Sequence, residues 1–100
     1  MIMFSTRARI AGNAADAMAW AQQVSALVNK LTGAAGEVAF RVGGGFDIVW
    51  MSPRLDNMAA LEAYLDKWQT NPEYLAMAKD VIDRGLLDVS SIESAIWRTA

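Results

Sequence analysis

From Phe46 to Tyr74 the chain reads F-D-I-V-W-M, S-P-R-L, D-N-M-A-A-L-E-A-Y-L-D-K-W-Q-T and N-P-E-Y, and this stretch sets the place of everything around it. Phe46, Ile48 and Trp50 alternate with Asp47, Val49 and Met51, the period of two that belongs to a strand. Pro53 breaks that strand, because proline has no amide hydrogen to give to a ladder. Asp56 is expected to cap the helix that follows, where Met58, Leu61, Leu65 and Trp68 make one apolar stripe with Tyr64 beside it. Asn71-Pro72-Glu73 then supplies a cap, a proline at the first helical position and an acid in the first turn, so a second helix begins there.

The flanking segments fall into line with this stretch. Ile2, Phe4, Thr6, Ala8 and Ile10 alternate with Met3, Ser5, Arg7 and Arg9 as a first strand with one apolar face. Gly12-Asn13 stops it, and Asn13 is an N-cap with Asp16 placed to favour the free amides. From Ala14 to Leu31, Ala17, Trp20, Ala21, Val24, Leu27, Val28 and Leu31 recur at helical spacing, and Gly33 suits a left-handed C-cap. Val38, Phe40 and Val42 alternate with Glu37, Ala39 and Arg41, and strand signals on both sides of Gly43-Gly44-Gly45 predict a β-hairpin. A phosphate loop is the weaker reading of those glycines, since such loops lead into a helix. Tyr74, Met77, Ala78, Val81 and Ile82 carry the apolar face of the third helix, which Gly85 ends. A last strand is expected over Ser91 to Arg98, with Ile92, Ser94 and Ile96 opposed to Glu93, Ala95 and Trp97.

The order is β-α-β-β-α-α-β, an α+β chain in a split βαβ arrangement, with one antiparallel four-stranded sheet carrying its helices on one face. One hundred residues suit one domain over 1–100 with a modest core of its own.

Composition removes several function classes. The chain has no cysteine and no histidine, which excludes thiol nucleophiles, an imidazole base, a haem histidine and the common zinc ligands. Carboxylates alone are left for a hard metal, and Asp80, Asp83 and Asp88, or Glu62 and Asp66, read more simply as solvated helix faces. No metal and no cofactor are expected. A net charge of −2 provides no footprint for a nucleic-acid backbone. No run reaches the length of a membrane span, and a cytoplasmic location is the default. Hydrophobic residues make up 54% of the chain, above the usual level of about 45 to 50%. That surplus points to an interface or an apolar pocket, or, on the simpler reading, to alanine in helices.

With these residues in place, the chain resembles the dimeric α+β barrel proteins of ferredoxin-like fold, which include antibiotic-biosynthesis-type monooxygenases and NIPSNAP-like domains. The likeness covers the element order, and its most specific part is F-D-I-V-W-M leading to M-A-A-L-E-A-Y and N-P-E-Y. It implies a homodimer packed through the open sheet faces and a pocket in each subunit between sheet and helices. The open face would carry Ser5, Arg7, Arg9, Glu37, Arg41 and Asp47 beside Met3, Ala39, Val49 and Met51, and its charges would have to pair within a dimer.

The helix-facing side gathers Phe4, Thr6, Phe40, Ile48 and Trp50 from the strands opposite Trp20, Val24, Met58, Leu61, Leu65, Trp68 and Met77. Taken singly these are core residues. Taken together, large aromatics and adaptable methionines form a wall suited to an apolar ligand, fatty-acyl-like or polyketide-like. Thr6, Tyr64 or a nearby arginine would hold its polar end. An alternative is a cofactor-independent monooxygenase-like enzyme acting on an aromatic substrate, with Trp50, Trp68, Tyr64 and Thr6 in its pocket. A third is a dimerisation domain without a ligand. No catalytic residue stands out in any of them.

Overall fold

The computed structural model describes residues 1–99; Ala100, the last residue of the expected domain, lies outside the described residues. Its elements are β1 (Ile2–Ile10), α1 (Ala14–Thr32), β2 (Glu37–Phe40), β3 (Asp47–Met51), α2 (Met58–Asp66), α3 (Pro72–Asp83) and β4 (Leu87–Arg98). The sheet is antiparallel in the order β2-β3-β1-β4, so the first strand lies in its interior. All three helices cover one face.

Local chemistry accounts for the helix ends. The Asn13 side chain accepts the Asp16 amide hydrogen at 3.0 Å and starts α1. At the other end Gly33 adopts φ 67°, and its N–H reaches the Asn29 carbonyl. Asn71 accepts from both Glu73 and Tyr74 ahead of α3, with Pro72 in the first turn. For α2 the cap is Asn57 and not Asp56: Asn57 has extended backbone, and its side chain takes the Ala60 amide at 2.9 Å. Both residue types cap well, and here the one that sits three residues before the amide it accepts fills the role.

Registry places the apolar alternates of the strands together. Thr6 faces Trp50, Ala8 faces Ile48, and Phe40 faces Ile48 from the other side. Ala8 and Ile48 then pack on Ala17, Trp20, Ala21 and Val24 of α1 and Val81 of α3, which form the core. The expected split of the strands into a helix face and an open face therefore holds for these residues, whereas Glu37 and Met51, expected on the open face, line the space between sheet and helices at the paired ends of β2 and β3.

Three boundaries differ from expectation. β2 ends at Phe40, two residues short, because Arg41 turns its guanidinium back onto the glycine turn, donating to the Gly43 carbonyl at 2.7 Å and to Asp47 at 3.0 Å. The hairpin reading of the glycines stands. After β3 the chain keeps following β1 past Pro53: the buried Ser52 hydroxyl accepts the Phe4 N–H at 2.8 Å, and Leu55 exchanges backbone bonds with Ile2. β4 begins at Leu87, four residues before the expected start. A register shift opposite Arg7 and Arg9 makes this possible, with the Ser91 hydroxyl taking the Arg9 N–H at 2.8 Å where a strand carbonyl would have done so. Such bulges break the alternation on which a sequence reading depends.

Candidate functional site

Between the helices and the sheet lies a cleft of about 180 Å³. Its lining comes from all four strands and all three helices, so the fold as a whole shapes it. Phe4, Thr6 and Ala8 of β1 and Trp50 of β3 make the floor, Trp20 and Val24 of α1 form one wall, and Tyr64, Trp68 and Tyr74 form another.

Of the residues expected to bind a ligand, Phe4, Thr6, Trp20, Val24, Trp50, Tyr64 and Trp68 line this cleft. Phe40, Ile48, Met58, Leu61, Leu65 and Met77 do not. Ile48 and Leu61 are 0% and 1% exposed and are packing residues, Ile48 in the core against α1 and Leu61 on the buried side of α2. Phe40 and Met77 pack against the same core from its edge. Met58, the first residue of α2, is 49% exposed, and the helix is anchored by Leu61 and Tyr64.

Residues of α3 and β4 complete the lining and escaped the sequence reading. Tyr74, Ala78, Val81 and Ile82 line the cleft from α3, and Leu87, Val89 and Ile92 from β4. The helical set could have been found from its spacing on one face of α3. The strand set could not, because the bulge puts Val89 and Ile92 on the cleft at a spacing of three. Ile82, Val89 and Ile92 are about half exposed, at 52%, 52% and 46%, and mark the open side of the cleft.

At the opposite end the α1–β2 turn is held by one side chain. The Asn29 amide accepts the Gly36 N–H at 3.0 Å and donates to the Gly36 carbonyl at 3.3 Å. Gly36 is required here, since a Cβ would come within 2.9 Å of the Met51 carbonyl oxygen and 3.5 Å of the Tyr64 hydroxyl.

The aromatic groups are arranged edge to face. Trp20 and Trp50 lie 5.8 Å apart at 89°, Tyr64 and Trp68 6.3 Å apart at 72°, and Trp68 and Tyr74 4.9 Å apart at 73°, the geometry that aromatic quadrupoles favour. Two of the indoles are hydrogen bonded. Trp20 donates to the Met77 carbonyl at 2.9 Å and Trp50 to the Ala21 carbonyl at a long 3.4 Å. The Trp68 indole N–H is buried and has no partner. A buried donor left in this way costs about 1–3 kcal/mol, so an acceptor brought to it would be held. Burial also pushes the phenols of Tyr64 and Tyr74 above their usual ionisation range, keeping both neutral.

The open sheet face has a different character. Arg7 pairs with Glu93 at 2.8 Å and Arg41 with Asp47 at 3.0 Å, so two of the arginines there are already matched within the chain. Trp97 lies on this face, 58% exposed, with its indole N–H on the Ser5 hydroxyl at 2.8 Å. Neither Arg7 nor Arg41 lines the cleft, which removes the nearby arginine expected to hold a ligand's polar end. Among the described residues no cluster of carboxylates has the grouping to hold a metal ion, and no helix is long and apolar enough to cross a membrane.

The architecture matches solved structures over nearly the whole chain. A NIPSNAP domain protein from Burkholderia xenovorans superposes with a TM-score of 0.76 at 16% identity, over 100% of this chain and 95% of that one. SnoaB, a cofactor-independent oxygenase from Streptomyces nogalater, superposes at 0.71 with 16% identity, over 99% and 92%. A dimeric protein of ferredoxin-like fold from Bacteroides fragilis superposes at 0.65 with 13% identity, over 98% and 96%. No family model and no curated protein matches the sequence. Identities this low speak to architecture alone: the chain has the ferredoxin-like α+β fold found in NIPSNAP and monooxygenase-like proteins.

Proposed function

We propose that this chain is a single α+β domain over residues 1–100 that forms a homodimer through its open sheet face. Each subunit binds an apolar small molecule in the cleft between sheet and helices, with a cytoplasmic location as part of the reading. The observation that carries the proposal is the Trp68 indole N–H, a buried donor without a partner in the wall of an otherwise apolar cleft. Size supports it too. A dry apolar cavity of about 150 Å³ can hold benzene, so 180 Å³ takes a ring or a folded stretch of acyl chain, and the side flanked by Val89 and Ile92 lets a longer molecule extend. Because Thr6 Oγ1 already shares a hydrogen with Ser94 Oγ at 3.1 Å, Trp68 and the two tyrosines are the first partners for a polar atom on the ligand.

Native mass spectrometry of the protein purified without added ligand tests both halves of this reading. A dimer retaining a mass of metabolite size is expected. A monomer would overturn the dimer. An empty protein that also fails to take up apolar fluorescent probes would leave a dimerisation domain without a ligand.

A second reading, a cofactor-independent oxygenase on an aromatic substrate, is favoured by the likeness to SnoaB over 99% of the chain and by an aromatic cleft whose free hydrogen-bonding groups are neutral. Oxygen uptake with electron-rich hydroxyaromatic compounds separates it from binding alone: consumption above the protein-free rate supports it, and a flat trace rejects it.

A further inference from the structure

Several polar groups around the cleft are already taken by partners within the chain. The Asn29 amide is used on both sides by Gly36, the Ser52 hydroxyl by Phe4 and Pro53, and the indoles of Trp20 and Trp50 by backbone carbonyls. Uncharged groups remain for a ligand, namely the Trp68 N–H and the hydroxyls of Tyr64, Tyr74 and Ser25. Among the described residues lining the cleft, Glu37 is the one that carries a charge, and that charge is negative. Several cations of the chain are engaged elsewhere. Lys79 is held by Asp83 at 2.7 Å, Arg84 by Asp80 at 3.2 Å, and Arg7 and Arg41 are paired on the opposite face of the sheet.

An anion entering this cleft would shed water and meet neutral donors, with no cationic residue in the lining. Transfer of an unpaired charge into such surroundings is far costlier than transfer of a neutral polar group, which needs a single hydrogen bond to offset it. We infer that the cleft discriminates on ligand charge, taking uncharged molecules that bear a hydrogen-bond acceptor and rejecting carboxylates of the same skeleton. The inference rests on the binding reading given above and narrows it. Within the acyl class it selects alcohols, esters or ketones over free fatty acids. The neutral phenols of Tyr64 and Tyr74, held protonated by burial, are consistent with it.

The test is a pair of calorimetric titrations at neutral pH with ligands matched in shape: acetophenone against benzoate, and decanol against decanoate. At least tenfold tighter binding of the neutral member in each pair is expected. If benzoate or decanoate binds as well as its neutral counterpart, the charge discrimination is overturned and the cleft remains a binding site. If none of the four binds, the binding reading itself falls, and this inference with it. A Ser25→Lys variant provides an independent arm, because a cation in the lining should narrow the difference between acetophenone and benzoate. A folded variant with an unchanged ratio would count against the electrostatic cause.

Discussion

The two faces of the sheet are built from alternate residues of the same strands and have opposite properties. Toward the helices, Ala8 and Ile48 are almost fully buried, charge is nearly absent, and one indole N–H has no partner. On the open side the ions pair with one another at 2.8 and 3.0 Å, and an indole N–H is satisfied by Ser5. One face leaves a buried hydrogen bond unmade; the other carries ion pairs and a satisfied indole. This difference teaches where each kind of molecule fits. A small ligand can supply the missing acceptor on the first face, whereas the second offers the ion-paired surface proposed above as the dimer interface.

Mutations on the two faces should therefore separate into distinct phenotypes. Leu61→Ala, on the buried side of α2, should cost about 2–5 kcal/mol in urea unfolding, the largest effect expected; a loss below 1 kcal/mol would mean that α2 is not anchored there. On the open face, Trp97→Ala should weaken dimerisation at least about tenfold, as the loss of an exposed aromatic anchor does. Analytical ultracentrifugation across a dilution series reads this directly, and an unmoved dissociation constant would place the interface elsewhere. Trp68→Phe should reduce acetophenone affinity several-fold and leave thermal stability equal or slightly higher, since it deletes a buried donor that lacks a partner in the free protein. A drop in stability with unchanged affinity would make Trp68 a packing residue. Arg7→Gln should alter stability by under about 1 kcal/mol, as is usual for exposed ion pairs.

Alkaline pH sharpens the same contrast. Tyr64 and Tyr74 have raised ionisation ranges in the fold because burial disfavours their phenolates. In the interval between the unfolded and folded values the native state holds more protons than the unfolded one, so stability falls as pH rises. Their contribution is intact below the ordinary tyrosine range, near pH 10, and is lost above it. Tyr64→Phe should flatten part of that loss in denaturation measured over an alkaline series; an identical slope would remove burial of this phenol as the cause.

Much of this was legible in the residues. Alternation in Ile2–Ile10 and Phe46–Met51, the caps at Asn13 and Asn71 and the glycine at position 33 led to the element order and to the face of most strand residues, with Glu37 and Met51 as exceptions. The cleft was legible in part. Trp50, Tyr64 and Thr6 were found because they lie on regular elements whose period identifies their direction, and Trp68 because it continues the stripe of α2 into the turn beyond Asp66. Val89 and Ile92 were not, since the β4 bulge shifts direction midway and Asp88, Ser90 and Ser91 look like strand breakers while in fact their side chains stabilise the bulge. Met58 was assigned to the cleft by a stripe that extends to the exposed first residue of α2. That Trp20 and Trp50 are hydrogen bonded and Trp68 is not depends on carbonyls distant in sequence, which no local pattern encodes.

The most direct measurement of the central claim is the indole N–H spectrum of ¹⁵N-labelled protein titrated with acetophenone. The chain has four tryptophans, and Trp68→Phe identifies the resonance that matters. A saturable downfield shift of that resonance, as its N–H gains an acceptor, with Trp97 left in place, is the predicted result. An unmoved Trp68 signal in the presence of bound acetophenone would contradict the account.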